Sequence, residues 1–154
     1  MENEKMIGVL GGGSWGTAMI KMLTENSDKI LWYIRDHSQA KEIINNKKNP
    51  KYLKDLKIKT NNVFISSDIN EIIIKSDIII IAIPSPYINQ NLIEHKTTLK
   101  NKVIFSGSKG VIPESHLVIS EHLNRHFDIS YNNLGILSGP THAEEIANDK
   151  LSYL

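Results

Sequence analysis

The chain has no cysteine among its 154 residues. Disulfides and thiolate metal sites are therefore excluded. No apolar stretch reaches the roughly 18 residues of a membrane span. Charge of one sign is not in excess: the formal net charge is +1, which leaves no electrostatic footprint for nucleic acid or a membrane surface. The first residues, MENEKMIGVL, are acidic and carry too short an apolar run for a signal peptide. Internal repeats, low-complexity tracts, a G-x-S-x-G elbow and a Walker A loop are all missing. What remains is ordinary globular composition, with 40% hydrophobic and 23% charged residues, enough for one domain with a real core. A cytoplasmic protein is the expectation. Heavy use of Ile, Asn and Lys fits an AT-rich genome better than a function.

The most informative stretch is IGVLGGGSWG at residues 7–16. An apolar run, Met6–Leu10, empties into three consecutive glycines. Gly11, Gly13 and Gly16 have the G-x-G-x-x-G spacing of a dinucleotide-binding turn. The first glycine permits a tight turn after the strand. The second admits a pyrophosphate close to the backbone, and the third lets the helix pack closely on the sheet. The helix that follows offers free N–H groups and a partial positive charge to phosphates.

Further along, apolar runs alternate with helix-like segments, the pattern of a parallel sheet with crossover helices. Strands are expected at Met6–Leu10, Ile30–Ile34, Val63–Ile65, Ile78–Ile83, Val103–Phe105 and Leu134–Leu137. Helices are expected from Ser14 to Glu25, Ala40 to Asn46, Asp68 to Lys75, Tyr87 to Leu99 and Glu114 to Phe127, with a last one begun by Thr141. Asp68 with Glu71, and Thr141 with Glu144, have capping-box spacing. The stretch 45–60 around Asn49-Pro50 reads as a loop. The fold class is thus α/β, a Rossmann-like doubly wound, mainly parallel sheet of about six or more strands, with residues 1–154 as a single dinucleotide-binding domain.

Ligands of such sheets sit beyond the carboxyl ends of the strands. The second strand ends in Arg35-Asp36, where an adenosine ribose is read. An acid there favours NAD and an arginine accommodates the 2′-phosphate of NADP, so either cofactor is permitted. Pro84 turns the chain out of the sheet near the expected nicotinamide. Lys109, in SGSKG, is accessible and cationic, suited to a phosphate or to a carbonyl oxygen gaining negative charge. Thr141, in SGPTHAEE, is expected to cap a helix and to offer a second anion site. His122 and His126 stand four residues apart, but no third metal ligand is evident, so both are expected at the surface and no metal is expected. Glu144 and Glu145 point in different directions on a helix and make no acid/base pair.

The ordered motifs GGGSWGTA, LWYIRD, NPKYL, IIAIPS, SKG and SGPTHAEEIA resemble the bacterial NAD(P)-dependent glycerol-3-phosphate dehydrogenases, along essentially the whole chain. SKG followed by SGP-T-x-A-E-E is not a general feature of the fold, so the resemblance is specific. It implies interconversion of dihydroxyacetone phosphate and sn-glycerol 3-phosphate with NAD or NADP, for phospholipid synthesis. By that resemblance Ser14 and Trp15 contact the cofactor, Arg35 sits at the adenosine ribose, and Lys109 touches both cofactor and substrate. Gly139 and Thr141 contact the substrate, and Ala143 lies against the cofactor. Members of the family have a second, helical half that encloses the substrate phosphate and carries the general acid/base lysine. This chain is therefore expected to be an N-terminal portion, nearly inactive alone, and to self-associate through an apolar face. The alternative is a dinucleotide-binding module without catalysis.

Overall fold

The computed structural model describes residues 5–154; the reading of residues 1–4 as part of a non-signal N-terminus lies outside them. Six short strands form one sheet: β1 (Ile7–Leu10), β2 (Ile30–Tyr33), β3 (Val63–Ser66), β4 (Ile78–Ile81), β5 (Val103–Ser106) and, at the far edge, a strand at Leu134–Ile136. All five pairings are parallel, and the spatial order is β3-β2-β1-β4-β5 and then the Leu134–Ile136 strand. Parallel pairing needs crossovers, which are helical here. They are α1 (Ser14–Leu23), α2 (His37–Asn46), α3 (Ile69–Lys75), the short α4 (Ile88–Leu92) and α5 (Lys96–Leu99), and α6 (Ile119–Phe127). A two-stranded ribbon, β6 (Val111–Ile112) and β7 (Leu117–Val118), precedes α6. The edge strand is β8, and α7 (Ala143–Ala147) follows it.

Helices on both sheet faces explain the isoleucine-rich strands. Along β1, β2 and β4, successive side chains enter opposite clusters. Leu10, Leu31, Ile79 and Ile81 join the core with α3, α4, α5 and α6, while Val9, Trp32 and Ile80 join the core with α1, α2 and α7. Full burial of one such side chain stabilises the fold by about 1.5–3 kcal/mol. The strand order reverses at β1, which lies between β2 and β4, so a crevice opens at their carboxyl ends. The glycine turn falls at that point.

Four expectations need correction. The helix expected over Tyr87–Leu99 is broken into α4 and α5 by 3₁₀ turns at Ser85–Tyr87 and Ile93–His95. Asn and Thr are poor helix residues, and the Asn91 amide donates to the Tyr87 carbonyl at 2.6 Å, competing with the backbone. The helix expected from Glu114 begins only at Ile119, because Val111↔Val118 and Ile112↔Leu117 pair across a tight turn in which His116 takes a φ of 55°. Thr141 does not cap α7. His142 occupies the cap position, and the Glu145 carboxylate accepts from its N–H at 2.9 Å, one residue later than the expected box. Asp68 does cap α3, but Glu71 accepts from Ser66 and Lys75, and Ser66 Oγ accepts the Asp68 N–H.

Candidate dinucleotide-binding cleft

Each glycine of the turn has a different physical reason. Gly11 has a φ of +131°, and a Cβ there would stand 2.5 Å from the Ala82 carbonyl oxygen. At Gly16 a Cβ would meet the Gly11 carbonyl oxygen at 2.0 Å, so the helix seats directly on the turn. Gly13 is the opposite case. Its φ of −81° suits any residue, and a Cβ would meet nothing within 4 Å. Neither packing nor backbone conformation within the chain demands glycine at 13; the space it leaves open faces the cleft.

The turn is fixed from below by buried polar groups. The Trp32 indole N–H donates to the Gly11 carbonyl at 2.8 Å. The Gln39 and Asn49 amides both donate to the Gly12 carbonyl, at 2.7 and 3.1 Å. Gln39 also donates to Asn49 Oδ1, and Asn49 donates to Thr17 Oγ1 at 2.8 Å. The Thr17 hydroxyl in turn donates to the Gly13 carbonyl at 2.8 Å. Thr17, Gln39 and Asn49 are all buried, where an unmet partner costs about 1–3 kcal/mol. Above this network α1 begins without a side-chain cap, its first backbone bond running from Thr17 N–H to the Gly13 carbonyl. By contrast α2 and α3 are capped by Asp36 and Asp68. The N-terminus of α1 thus keeps its amides and partial positive charge for an external anion.

The cleft above the turn has a volume of about 450 Å³. Gly11, Gly13, Ser14, Trp15, Arg35, Asp36 and Pro84 of the expected cofactor residues all line it. Arg35 is exposed and in no salt bridge among the described residues, and its charge offsets part of the rise that burial imposes on the Tyr33 phenol. Asp36 lies on the wall with its carboxylate engaged: it caps α2 and pairs with Lys51, whose hydrogen bond holds Asp36 below the usual carboxylate range. Among the described residues the buried Trp15 indole N–H has no hydrogen-bond partner, and its ring closes on Gly107, where a Cβ would stand 2.0 Å from Nε1. Gly16 lies beneath the turn. A larger groove of about 610 Å³, around Thr24, Lys47 and Asn61, is built without any residue of the glycine turn.

The remaining expected residues are not gathered into this cleft. Lys109 is exposed on the loop after β5, which is tied to the end of β4 by Ser108 Oγ donating to the Ile83 carbonyl at 2.6 Å. Gly139 packs against the Tyr153 backbone, where a Cβ would stand 2.0 Å from its carbonyl oxygen. Thr141 is buried with its hydroxyl unpartnered among the described residues, and Ala143 is buried in the core that includes α1 residues. His122 corrects the surface reading: it is buried, its Nδ1 is 2.8 Å from Ser115 Oγ, and its ring stacks on that of exposed His126 at 4.7 Å. Among the described residues no cluster of three metal-ligating side chains occurs. No helix there is long and apolar enough to cross a membrane. Sequence reasoning missed Thr17, Trp32, Gln39, Asn49, Lys51 and Tyr52. The motif NPKYL was the available signal for three of them.

The strand order and the glycine turn under a cleft define a Rossmann-like dinucleotide-binding protein. The family model for the N-terminus of NAD-dependent glycerol-3-phosphate dehydrogenase matches residues 6–154, and the chain belongs to that family. It is 34% identical over 152 residues to a glycerol-3-phosphate dehydrogenase [NAD(P)+] of Pseudomonas syringae pv. syringae, covering 99% of this chain and 44% of that protein. The corresponding Pseudomonas fluorescens protein is 36% identical over 153 residues, with the same coverage of 99% and 44%. The chain thus spans under half the length of these relatives. Among solved structures, the Plasmodium falciparum glycerol-3-phosphate dehydrogenase superposes with a TM-score of 0.84 at 24% identity, covering 98% of this chain and 45% of that one. The Coxiella burnetii enzyme gives 0.81 at 22% identity, covering 95% and 44%. Both show the same fold.

Proposed function

We infer that this chain supplies the cofactor half of a glycerol-3-phosphate dehydrogenase that uses NAD or NADP. The reaction reduces dihydroxyacetone phosphate to sn-glycerol 3-phosphate, for phospholipid synthesis in the cytoplasm, and residues 1–154 act as the NAD(P)-binding domain. The observation that carries this reading is Gly13, a glycine unexplained by the chain's own packing, beside an uncapped helix start. Those groups fit a pyrophosphate. When bound, the nicotinamide supplies a hydride to the carbonyl carbon. The chain's own tasks are to hold the dinucleotide, stabilise charge on the carbonyl oxygen, and exclude water. Lys109 is assigned the charge, since it is cationic, accessible and adjacent to the end of β4. Gly139 and Thr141 are assigned to the substrate and Ala143 to the cofactor, on the strength of the family resemblance carried by SGPTHAEE. The proton donor and the phosphate enclosure are assigned to the part of the relatives that this chain does not span.

A thermal-shift titration with NADH and NADPH tests the reading. Ligand at about a hundred times its dissociation constant adds roughly 2.7 kcal/mol of stability. A midpoint raised by several degrees is the expected result. No shift with either nucleotide at millimolar concentration counts against a competent site.

A further inference from the structure

The carboxyl end of β2 carries one acid and two cations on the cleft wall, Asp36, Arg35 and Lys51. An acid at this point commonly reads a ribose diol by accepting from its hydroxyls. Asp36 is already engaged. Its Oδ1 accepts from Ser38 N–H at 2.9 Å and Gln39 N–H at 3.1 Å, and its Oδ2 accepts from the Lys51 ammonium. That pairing offsets the charge that would repel a phosphate at the same corner.

Lys51 is also held in place through its backbone. Its N–H donates to Asn49 Oδ1 at 3.1 Å, and the N–H of Tyr52 donates there at 3.3 Å. Asn49 is fully buried and donates to the Gly12 carbonyl. The loop that carries Lys51 is therefore anchored to the glycine turn itself. With Arg35 exposed on the adjoining position, the corner presents two positive side chains and one carboxylate whose lone pairs are largely spent.

We propose that Lys51 is a specificity residue for the 2′-phosphate of NADP(H), acting beside Arg35 at the end of β2. This rests on the cleft being a nicotinamide dinucleotide site. A lysine ammonium meets a phosphate as a point charge with three rotatable donors, and it can leave Asp36 for a doubly charged group without disturbing the α2 cap.

The test uses the chain titrated with NADPH and NADH, followed by quenching of tryptophan emission, since Trp15 lines the cleft. Adenosine 2′,5′-bisphosphate and AMP serve as a second probe pair. Lys51→Met is expected to weaken NADPH and the bisphosphate about ten-fold, the loss of one charge-assisted bond. NADH and AMP are expected to change by less than about two-fold, having no 2′-phosphate to lose. Lys51→Arg is expected to keep the parent's ratio. Raising the salt is expected to narrow the NADPH–NADH difference in the parent more than in Lys51→Met. Equal changes for the two nucleotides, or none, overturn the role of Lys51 and leave the cleft's reading standing. So does a parent chain that binds NADH but not NADPH. A parent that binds neither overturns the cleft's reading, and this proposal with it.

Discussion

At the carboxyl ends of β1 and β2, buried Trp32, Gln39, Asn49 and Thr17 tie the glycine turn to its neighbours, and an open helix start faces the resulting cleft. At the ends of β5 and β8, Lys109 is exposed, Gly139 is pressed against the Tyr153 backbone, and the Thr141 hydroxyl is buried without a partner among the described residues. The first region is held in shape by bonds within the chain. The second has the right residue types but not a gathered site. On the function proposed above, dinucleotide affinity is therefore expected to reside in the first region, and turnover to need more than the second region assembles.

The largest effect expected from this contrast is the gap between binding and catalysis. The 154-residue chain is expected to bind NADH yet show no useful reduction of dihydroxyacetone phosphate, followed as NADH absorbance. Robust turnover by this chain would erase the distinction and make Lys109 a sufficient catalytic cation. In a chain that also carries the part of its relatives not spanned here, activity is expected to appear, and Lys109→Ala is expected to remove most of it.

Next in size is the contrast between two glycines of one turn. Gly13→Val points its side chain into the cleft, so it is expected to abolish NADH and NADPH binding while the melting midpoint barely moves. Gly16→Val drives a side chain into the Gly11 carbonyl and is expected to cost at least about 1–3 kcal/mol of stability. Parent-like binding by Gly13→Val would overturn the assignment of that glycine to a pyrophosphate. Asn49→Ala lies between these cases. It leaves the Gly12 carbonyl, Thr17 and the amides of residues 51 and 52 short of a partner, so it is expected to lower stability by about 1–3 kcal/mol and to weaken both nucleotides. Unchanged melting in that variant would show that the turn does not need its buried network.

These three cases also show what was legible in the sequence. The glycine spacing, the six apolar runs and the crossover pattern are local features, and each reads directly as turn, strand or helix. The strand-end rule points to Arg35, Asp36 and Pro84, and all three line the cleft. The network under the turn was not legible, because Gln39 and Asn49 are brought to the Gly12 carbonyl by tertiary folding across separations of 27 and 37 residues. Cap positions were misread where two candidates adjoin: Thr141 has the better capping side chain, but His142 starts α7. The β6–β7 ribbon was missed because its strands are two residues each and the segment from Glu114 shares a helical period. Val111-Ile112 and Leu117-Val118, on either side of the Pro113–His116 turn, are the local sign of it.

A smaller, one-sided effect is expected at Arg35. Its guanidinium is exposed on the cleft wall, free to pair with a 2′-phosphate. Loss of such a bond costs on the order of 1.5–3 kcal/mol. Arg35→Ala is therefore expected to weaken NADPH by about ten-fold or more and NADH far less. Equal losses in parallel titrations would mean that Arg35 holds the dinucleotide without reading its phosphate.

The smallest effect sharpens the contrast from the other face of the sheet, where α6 packs. His122 joins the β6–β7 turn to α6 through Ser115, and neither residue lines the cleft. Burial, and then the neighbouring His126 charge, hold its pKa below the ordinary 6.5, with Glu114 opposing. Among the described residues its Nε2 has no hydrogen-bond partner, so protonation would bury a charge without an acceptor. The sign follows from linkage. The unfolded chain takes up this proton at a higher pH than the folded one, so unfolding is favoured as the pH falls through about 6.5 and continues to gain down to the lower folded value. A modest drop in melting midpoint below about pH 6.5 is expected, and His122→Gln is expected to flatten that part of the profile. NADH affinity near neutral pH should be the same in both proteins, because the cleft draws nothing from this corner. A His122→Gln profile that falls as steeply as the parent's would assign the acid sensitivity to other groups. A large change in NADH affinity would instead show that the two regions are coupled through the sheet.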